Sequence, residues 1–263
     1  MKDKVIVITG ASSGIGAALA EALAARSPRG LVLASRRQAE LSAVAARLAG
    51  NTLAVVTDVT VRGDVEQLRA RALAQFGQID VWVGNAGRGI TRSVTQLTDA
   101  DVDDMMAINV KSVLYGIQAV LPHFRERKRG HLITVSSMLG RIPMAPIRSA
   151  YSAAKAAVNS LMTSLRLELR AEFPEIHVST VMPGVVATSF GANALHGGPA
   201  SHTLPNAQPV GEVAAAIADL IEHPRAELYL QPGHAQLAAR YYSADDVAAI
   251  EAGPPFTMMP RPR

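Results

Sequence analysis

The chain has 263 residues, of which 49% are hydrophobic and 18% charged, enough to bury a sizeable core in an ordinary globular balance. It contains no cysteine, which excludes disulfides, thiolate metal sites and thiol nucleophiles. Its net charge of +4 tolerates anionic ligands, but the basic residues are scattered and aromatics make up only 4%, so nucleic-acid binding is not expected.

The N-terminal run Val5–Ile8 is too short for a signal peptide and leads at once into a glycine turn. No stretch approaches the ~18 uninterrupted apolar residues of a membrane span, so a cytoplasmic chain with no membrane partner is expected. Short β-branched runs follow in order at Val5–Ile8, Leu31–Ala34, Leu53–Val56, Val81–Val83, Leu132–Val135, Val178–Met182 and Leu228–Leu230. Stretches of helical period lie between them, at about Gly14–Ala25, Ala39–Leu48, Val61–Phe76, Ala100–Glu126, Ala150–Glu172 and Val210–Glu222. Continuous apolar strands alternating with helices predict a doubly wound (Rossmann-type) α/β fold: one parallel sheet of about seven strands covered on both faces. No linker interrupts residues 1–263, so one domain is expected. Ser189–Gln208, rich in Gly, Ala, Asn, Pro and His, has the character of a substrate lid or a disordered segment, and the proline-rich tail Gly253–Arg263 is expected to be irregular.

The first strand ends in Thr9-Gly10-Ala11-Ser12-Ser13-Gly14-Ile15-Gly16. Glycines there permit a tight turn, and the following helix N-terminus presents amides and partial positive charge to a pyrophosphate. A dinucleotide site places its ribose selector about 20 residues on, at the end of the second strand. The sequence there reads Ala34-Ser35-Arg36-Arg37, without the carboxylate that would hold the free 2′-hydroxyl of NAD. Ser35 with Arg36 offers a hydroxyl and a guanidinium suited to a 2′-phosphate, favouring NADP(H) over NAD(H), with Arg36 as the expected contact. The alternative is that both arginines are solvated caps of the next helix. Asp58, followed by Val59, ends the third strand and could accept a bond from adenine or cap a helix. Asn85-Ala86-Gly87 ends the fourth strand with small residues that permit close approach of a ligand.

Tyr151 and Lys155 lie four positions apart near the start of a helix and therefore share a face. Hydride addition to a carbonyl requires a proton for the developing alkoxide, and a tyrosine beside a cation can act as that acid. Ser136 and Ser137 end the fifth strand. Ser137 is the candidate for bonding the substrate oxygen and Ser136 its register alternative. Asn109 falls inside a helix, where asparagine has modest propensity, either functional or locally satisfied at a kink.

Taken in order, Thr9-Gly10, Gly14-Ile15-Gly16, Asp58-Val59, Asn85-Ala86-Gly87, Asn109, Ser137, Tyr151 with Lys155, and Pro183-Gly184 resemble the compact single-domain branch of the short-chain dehydrogenase/reductase family, over roughly residues 4–190. The resemblance implies a nicotinamide oxidoreductase acting on a small carbonyl or alcohol. In it Tyr151 is the general acid–base, Ser137 orients the substrate oxygen, Lys155 binds the nicotinamide ribose and depresses the Tyr151 pKa, and Asn109 holds a water of a proton relay. It also implies that Val186 and Thr188, in Pro183–Thr188, bind the nicotinamide carboxamide, that Ser12 and Ser13 belong to the phosphate turn, and that the chain forms a homodimer or homotetramer. The chain departs from the family in two places: Gly84 precedes Asn85-Ala86-Gly87 where asparagine is usual, and the Ser137–Tyr151 interval is one residue longer than is commonest. Met138, Leu139, Ile142 and Met144 in that interval point to a neutral, moderately hydrophobic carbonyl. A dinucleotide-binding sensor without turnover is the rival reading, and the intact set Asn109, Ser137, Tyr151 and Lys155 counts against it. No metal site is expected.

Overall fold

The structure is a computed structural model that describes residues 1–204 and 206–257. Seven strands, β1 (Val5–Thr9), β2 (Gly30–Ser35), β3 (Thr52–Val56), β4 (Val81–Gly84), β5 (Gly130–Val135), β6 (Ile176–Met182) and β7 (Glu227–Tyr229), form one sheet in the order β3-β2-β1-β4-β5-β6-β7. Every pairing is parallel. Helices α1 (Gly14–Ala24), α2 (Gln38–Arg47) and α7 (Val210–Glu222) cover one face. The other carries α3 (Arg62–Phe76), α4 (Asp99–Met106), α5 (Ser112–Arg127) and α6 (Ser149–Leu169).

The sequence alternation explains the two-sided core. Along β1, Ile6 and Ile8 join the α1/α7 layer, while Val5 and Val7 join the α5/α6 layer. Both sets are buried, so a central strand reads as an unbroken apolar run. After β3 the chain crosses to the far side of β1 to lay down β4, which makes the β1/β4 boundary the switch point of the sheet. A crevice opens there at the carboxyl ends of the strands.

Three features differ from the expected elements. The helix expected over Ala100–Glu126 is continuous in direction, but a π-turn at Ala107–Lys111 separates α4 from α5. The apolar side chains of α5, among them Val113, Ile117, Val120 and Phe124, are spent on the core. Ser189–Gln208, in its described part, runs mostly as turns with one short 3-10 turn at Ser201–Thr203. Two helices were not expected at all: α8 (His234–Tyr242) and α9 (Val247–Glu251). Of the tail expected to be irregular, Gly253–Thr257 forms turns and residues 258–263 lie outside the described residues.

At the edge of the sheet opposite the crevice, His131 is buried at the start of β5 and bonded through Nε2 to Ser179 Oγ at 2.8 Å. Ser179 Oγ donates to the Arg225 carbonyl, so it must accept from His131 Nε2–H, which leaves Nδ1 a buried acceptor without a partner. Burial first, then the charges of His177 and Lys4, lower the His131 pKa from 6.5 to about 3. The unfolded chain therefore takes up this proton below about pH 6.5, whereas the folded chain refuses it until about pH 3. Stability contributed by the neutral ring is complete above pH 6.5 and is lost as pH falls through that window, by about 1.4 kcal/mol per pH unit for a single proton. His131→Gln should flatten the fall in Tm between pH 6.5 and 4, measured by thermal melts across buffers. An equal slope in the variant would show that other groups govern acid unfolding.

Candidate active site

The crevice is built first by the turn between β1 and α1. Gly10 has φ +68° and Gly14 φ +56°, in the left-handed region that glycine occupies without strain. A Cβ on Gly16 would lie 2.4 Å from the Gly10 carbonyl oxygen and 2.7 Å from Asn85 Nδ2, so only a hydrogen fits between helix and turn. Asn85 braces the same turn: its Nδ2 donates to the Thr9 and Gly10 carbonyls, while the Asn85 and Ala86 amides donate to Thr9 Oγ1. Gly84, in place of the usual asparagine, has only ordinary contact room beside Thr134. Ser13 occupies the N-cap of α1 without a side-chain capping bond, so the amides of the first turn are left for another acceptor.

What Ser13 does instead concerns the ribose selector. Arg37 Nη2 donates to Ser12 Oγ at 2.8 Å and to Ser13 Oγ at 2.6 Å, and Ser12 Oγ is 2.8 Å from Ser35 Oγ. Arg37, rather than Arg36, therefore lies across the turn. Arg36 points outward, its side chain 60% exposed, and pairs with Asp58 at 3.7 Å. Asp58 is committed locally: Oδ1 accepts from the Thr60 amide and hydroxyl. Burial alone would raise its pKa, but the Thr60 bonds and Arg36 outweigh that and hold it below the usual value. Val59 beside it is buried in the core. Across the crevice, the Thr188 methyl lies 3.5 Å from where a Gly14 Cβ would be, so the Pro183–Thr188 segment faces the glycine turn. A hydrogen-only gap, uncapped amides and an arginine over three hydroxyls fit a phosphorylated dinucleotide.

The candidate acid–base residues Tyr151 and Lys155 stand on α6. Ser136 and Ser137 point to opposite sides, as successive residues of extended backbone must. Ser136 Oγ donates to Asn159 Oδ1 at 2.6 Å, behind α6. Ser137 Oγ accepts from the Leu139 amide and turns toward the Tyr151 phenol. The loop beyond returns tightly because Gly140 packs on the α6 backbone: a Cβ there would lie 2.7 Å from the Lys155 carbonyl carbon. Lys155 is buried and its Nζ donates to the Val135 carbonyl at 2.9 Å. The same ammonium lies 5.7 Å from the centre of the Tyr151 ring. Burial lowers the Lys155 pKa to about 8, leaving it mostly charged at neutral pH. Burial also pushes Tyr151 up to about 12, partly offset by the Ser137 hydroxyl and the Arg148 charge. Burial is opposed first by the Ser137 hydroxyl and then by the charge of Arg148, a residue that sequence reasoning passed over although it precedes Tyr151 by one helical turn.

Asn109 lies in the π-turn, fully buried, with Nδ2 donating to the Arg88 and Met105 carbonyls and Oδ1 accepting from the Arg88 amide. A Cβ on Gly87 would be 2.9 Å from Asn109 Oδ1 and 3.5 Å from Lys155 Nζ, so Asn109 and Lys155 both approach Gly87. Val186 is buried and joins a short parallel bridge to Gln208. The Thr188 hydroxyl bonds within its own turn, to the Val186 carbonyl and Phe190 amide. Gly184 has no room for a side chain because Gln231 and His234, at the start of α8, press on it.

The first part of the segment Ser189–Gln208 packs against this centre. Phe190 sits against Tyr151 with ring centres 5.5 Å apart, and Leu195 exchanges backbone bonds with Gly89 and Thr91. His196 bonds Asp101 through Nε2 at 2.6 Å, a tie between segment and scaffold rather than a catalytic contact. His202 is exposed. The expected apolar pocket wall is corrected: Met138, Ile142 and Met144 are buried in a satellite core against Ala238, Leu237, Tyr241 and Phe256. Helix α8, with Tyr229 and Phe256, covers the surface those residues were expected to offer a substrate; of the four, Leu139 alone is only partly buried.

Comparison with known proteins agrees with this geometry. The short chain dehydrogenase family model matches residues 4–197. An uncharacterized oxidoreductase of Listeria innocua is 39% identical over 193 residues, covering 72% of this chain and 77% of that one. A short-chain dehydrogenase/reductase from Burkholderia phymatum, solved in complex with NAD, superposes with TM-score 0.84 at 25% identity over 92% of this chain and 93% of that one. An alcohol dehydrogenase from Thermococcus sibiricus, complexed with 5-hydroxy-NADP, superposes with TM-score 0.76 at 27% identity over 87% and 96%. The seven-stranded parallel sheet, the glycine turn at its switch point and the matched span make this chain a member of the short-chain dehydrogenase/reductase family of oxidoreductases.

Proposed function

We propose that the chain is an NADP(H)-dependent carbonyl reductase or alcohol dehydrogenase, with Tyr151 as its general acid–base. The observation that carries the reading is the convergence of Ser137, Tyr151 and Lys155, all buried, beside the glycine turn. Gly10, Ser12, Ser13, Gly14, Ile15 and Gly16 hold the pyrophosphate in this reading. Asp58, Val59, Asn85, Ala86 and Gly87 border the adenosine and riboses, and Pro183, Gly184, Val186 and Thr188 the nicotinamide. When bound, the nicotinamide supplies or takes up the hydride. Ser137 donates a hydrogen bond to the substrate oxygen, and Tyr151 Oη gives that oxygen its proton in reduction or removes it in oxidation. Lys155, held by the Val135 carbonyl, binds the adjacent ribose and keeps a positive charge beside the phenol. Asn109, next to Gly87 and Lys155, orders the route by which the proton is replaced from solvent. Exposed Leu161 and Leu167 on α6 support pairing of that helix across a homodimer or homotetramer, as the family resemblance implies.

NADP(H) is preferred over NAD(H) because β2 ends without a carboxylate and Arg37 is braced over Ser12 and Ser13. A charge-assisted bond of this kind contributes about 1.5–3 kcal/mol. Arg37→Ala should therefore weaken NADPH binding by roughly 10- to 100-fold while leaving NADH nearly unchanged, read by fluorescence titration of each cofactor. Arg36→Ala should have the smaller effect, since Arg36 is drawn toward Asp58. Equal affinities of the parent chain for the two cofactors would overturn the preference. A screen of NADPH consumption over aldehydes, ketones, diketones and quinones tests the reaction itself. Tight NADPH binding with silence across the panel would favour the non-catalytic sensor.

A further inference from the structure

Arg148 is the residue immediately before α6, three positions ahead of Tyr151. Its Nη1 donates to the Ile90 carbonyl at 3.1 Å and to the Thr91 hydroxyl at 3.0 Å, both in the loop beyond β4. Nη2 lies toward the covering segment, 3.2 Å from where a Cβ on Gly198 would stand. The guanidinium is thus held through Nη1 by the loop beyond β4, with Nη2 beside Gly198, yet among the described residues no carboxylate pairs with it. Asp101, on the same side of the sheet, is fully engaged. Its Oδ2 accepts from Arg92 at 2.7 Å and from the Thr98 amide at 2.9 Å, and its Oδ1 bonds His196 at 2.6 Å. A half-buried cation fixed by neutral acceptors carries a desolvation cost that an ion pair would have relieved, and its field remains uncancelled.

Tyr151 lies within this field: a Cβ on Gly89 would stand 3.2 Å from Arg148 Nη1 and 3.0 Å from Phe190 Cε1, and the Phe190 ring packs on Tyr151 with centres 5.5 Å apart. The groups around the phenol are Lys155 from α6, Arg148 at its N-cap, Ser137 from the turn after β5, and the apolar Phe190 ring from the covering segment. In the loop after β4, Arg88 directs its Nε to the Asn193 carbonyl. None of these is an anion. Burial disfavours the charged form of both Tyr151 and Arg148, and in each case the attraction of the other opposes it.

We propose that Arg148 is a second cation of the acid–base centre, a positioning residue whose clamped and unpaired guanidinium stabilises the Tyr151 phenolate when the proton leaves. The proposal rests on the reading of Tyr151 as acid–base and adds to it a fixed charge from the residue that also anchors the loop beyond β4. Lys155 is the first cation, its ammonium 5.7 Å from the centre of the Tyr151 ring.

The test is an ultraviolet difference titration of the phenolate, on the chain alone and saturated with NADP⁺, using Tyr151→Phe as the blank that isolates Tyr151 from the other tyrosines. Arg148→Met should raise the apparent pKa of Tyr151 by about one unit, the scale expected for one charge several ångströms away at a partly buried site. Arg148→Lys should restore most of the shift. Thr91→Val, which removes one clamp bond and keeps the charge, should titrate near the parent chain. The proposal is overturned if Arg148→Met leaves the titration in place, if Arg148→Lys shifts it as far as Arg148→Met, or if Thr91→Val matches Arg148→Met. Turnover is a separate readout: activity retained by Tyr151→Phe would sink the acid–base reading, while the titration would still report whether Arg148 acts on Tyr151.

Discussion

Tyr151→Phe should lower turnover by on the order of 10²–10⁴-fold while NADPH binding is retained. The expectation follows from what the substitution spares. Phe keeps the ring that packs on Phe190, and the buried site needs no rearrangement to accept it. Only the hydroxyl is lost, and with it the proton that the substrate oxygen requires. Burial holds the free-chain phenol at about 12, so near neutral pH it is protonated and ready to serve as an acid. Oxidation needs the opposite form, so the rate of alcohol oxidation should climb toward alkaline pH in the parent chain. Initial rates in both directions, with NADPH fluorescence as the binding control, check this. Turnover that survives the substitution would place the acid elsewhere.

Gly16→Ala should give the second large effect, at the other end of the cofactor. A methyl there would stand 2.4 Å from the Gly10 carbonyl oxygen and 2.7 Å from Asn85 Nδ2, and neither can simply swing away. The first is backbone. The second is tied to the Thr9 and Gly10 carbonyls. The turn must open, at a cost of about 1–3 kcal/mol in stability. The amides aimed at the pyrophosphate move with it, so NADPH affinity should fall by at least roughly tenfold. Gly63→Ala is the matched control: it lies in α3 with nothing within 4 Å of the added carbon, and should melt no lower than the parent. Calorimetry for stability and fluorescence titration for affinity read the two effects apart. A Gly16→Ala chain that binds and melts like the parent would show that the turn has slack which this geometry denies.

Both residues could be named before any fold was known, because what identifies them is local. Glycine spacing after an apolar strand, and Tyr and Lys one helical turn apart, are short-range patterns. So are the seven apolar runs and the six periodic stretches, which the sheet and α1 to α7 reproduce with shifts of a few residues at their ends. Even the covering segment announced itself through lost periodicity.

Tertiary structure alone decided the matters in which two neighbours competed for one role. Ser136 and Ser137 carry the same hydroxyl, and only the pairing of β5 with β6 and the position of Asn159 on α6 turn the first away from the site. Arg36 and Arg37 are chemically identical, and Ser12, Ser13 and Asp58 sort them across about two dozen residues of chain. The satellite core that hides Met138, Ile142 and Met144 depends on α8, nearly a hundred residues further along. Among the described residues Arg148 has no carboxylate partner, and Asp101 is held by its near neighbours Arg92 and Thr98 and by His196, 95 residues further along. Composition and spacing determined which chemistry the chain carries, because period and residue type act over a few positions. Which of two like groups faces the candidate site was decided by contacts between residues far apart in sequence, and no local pattern encodes those.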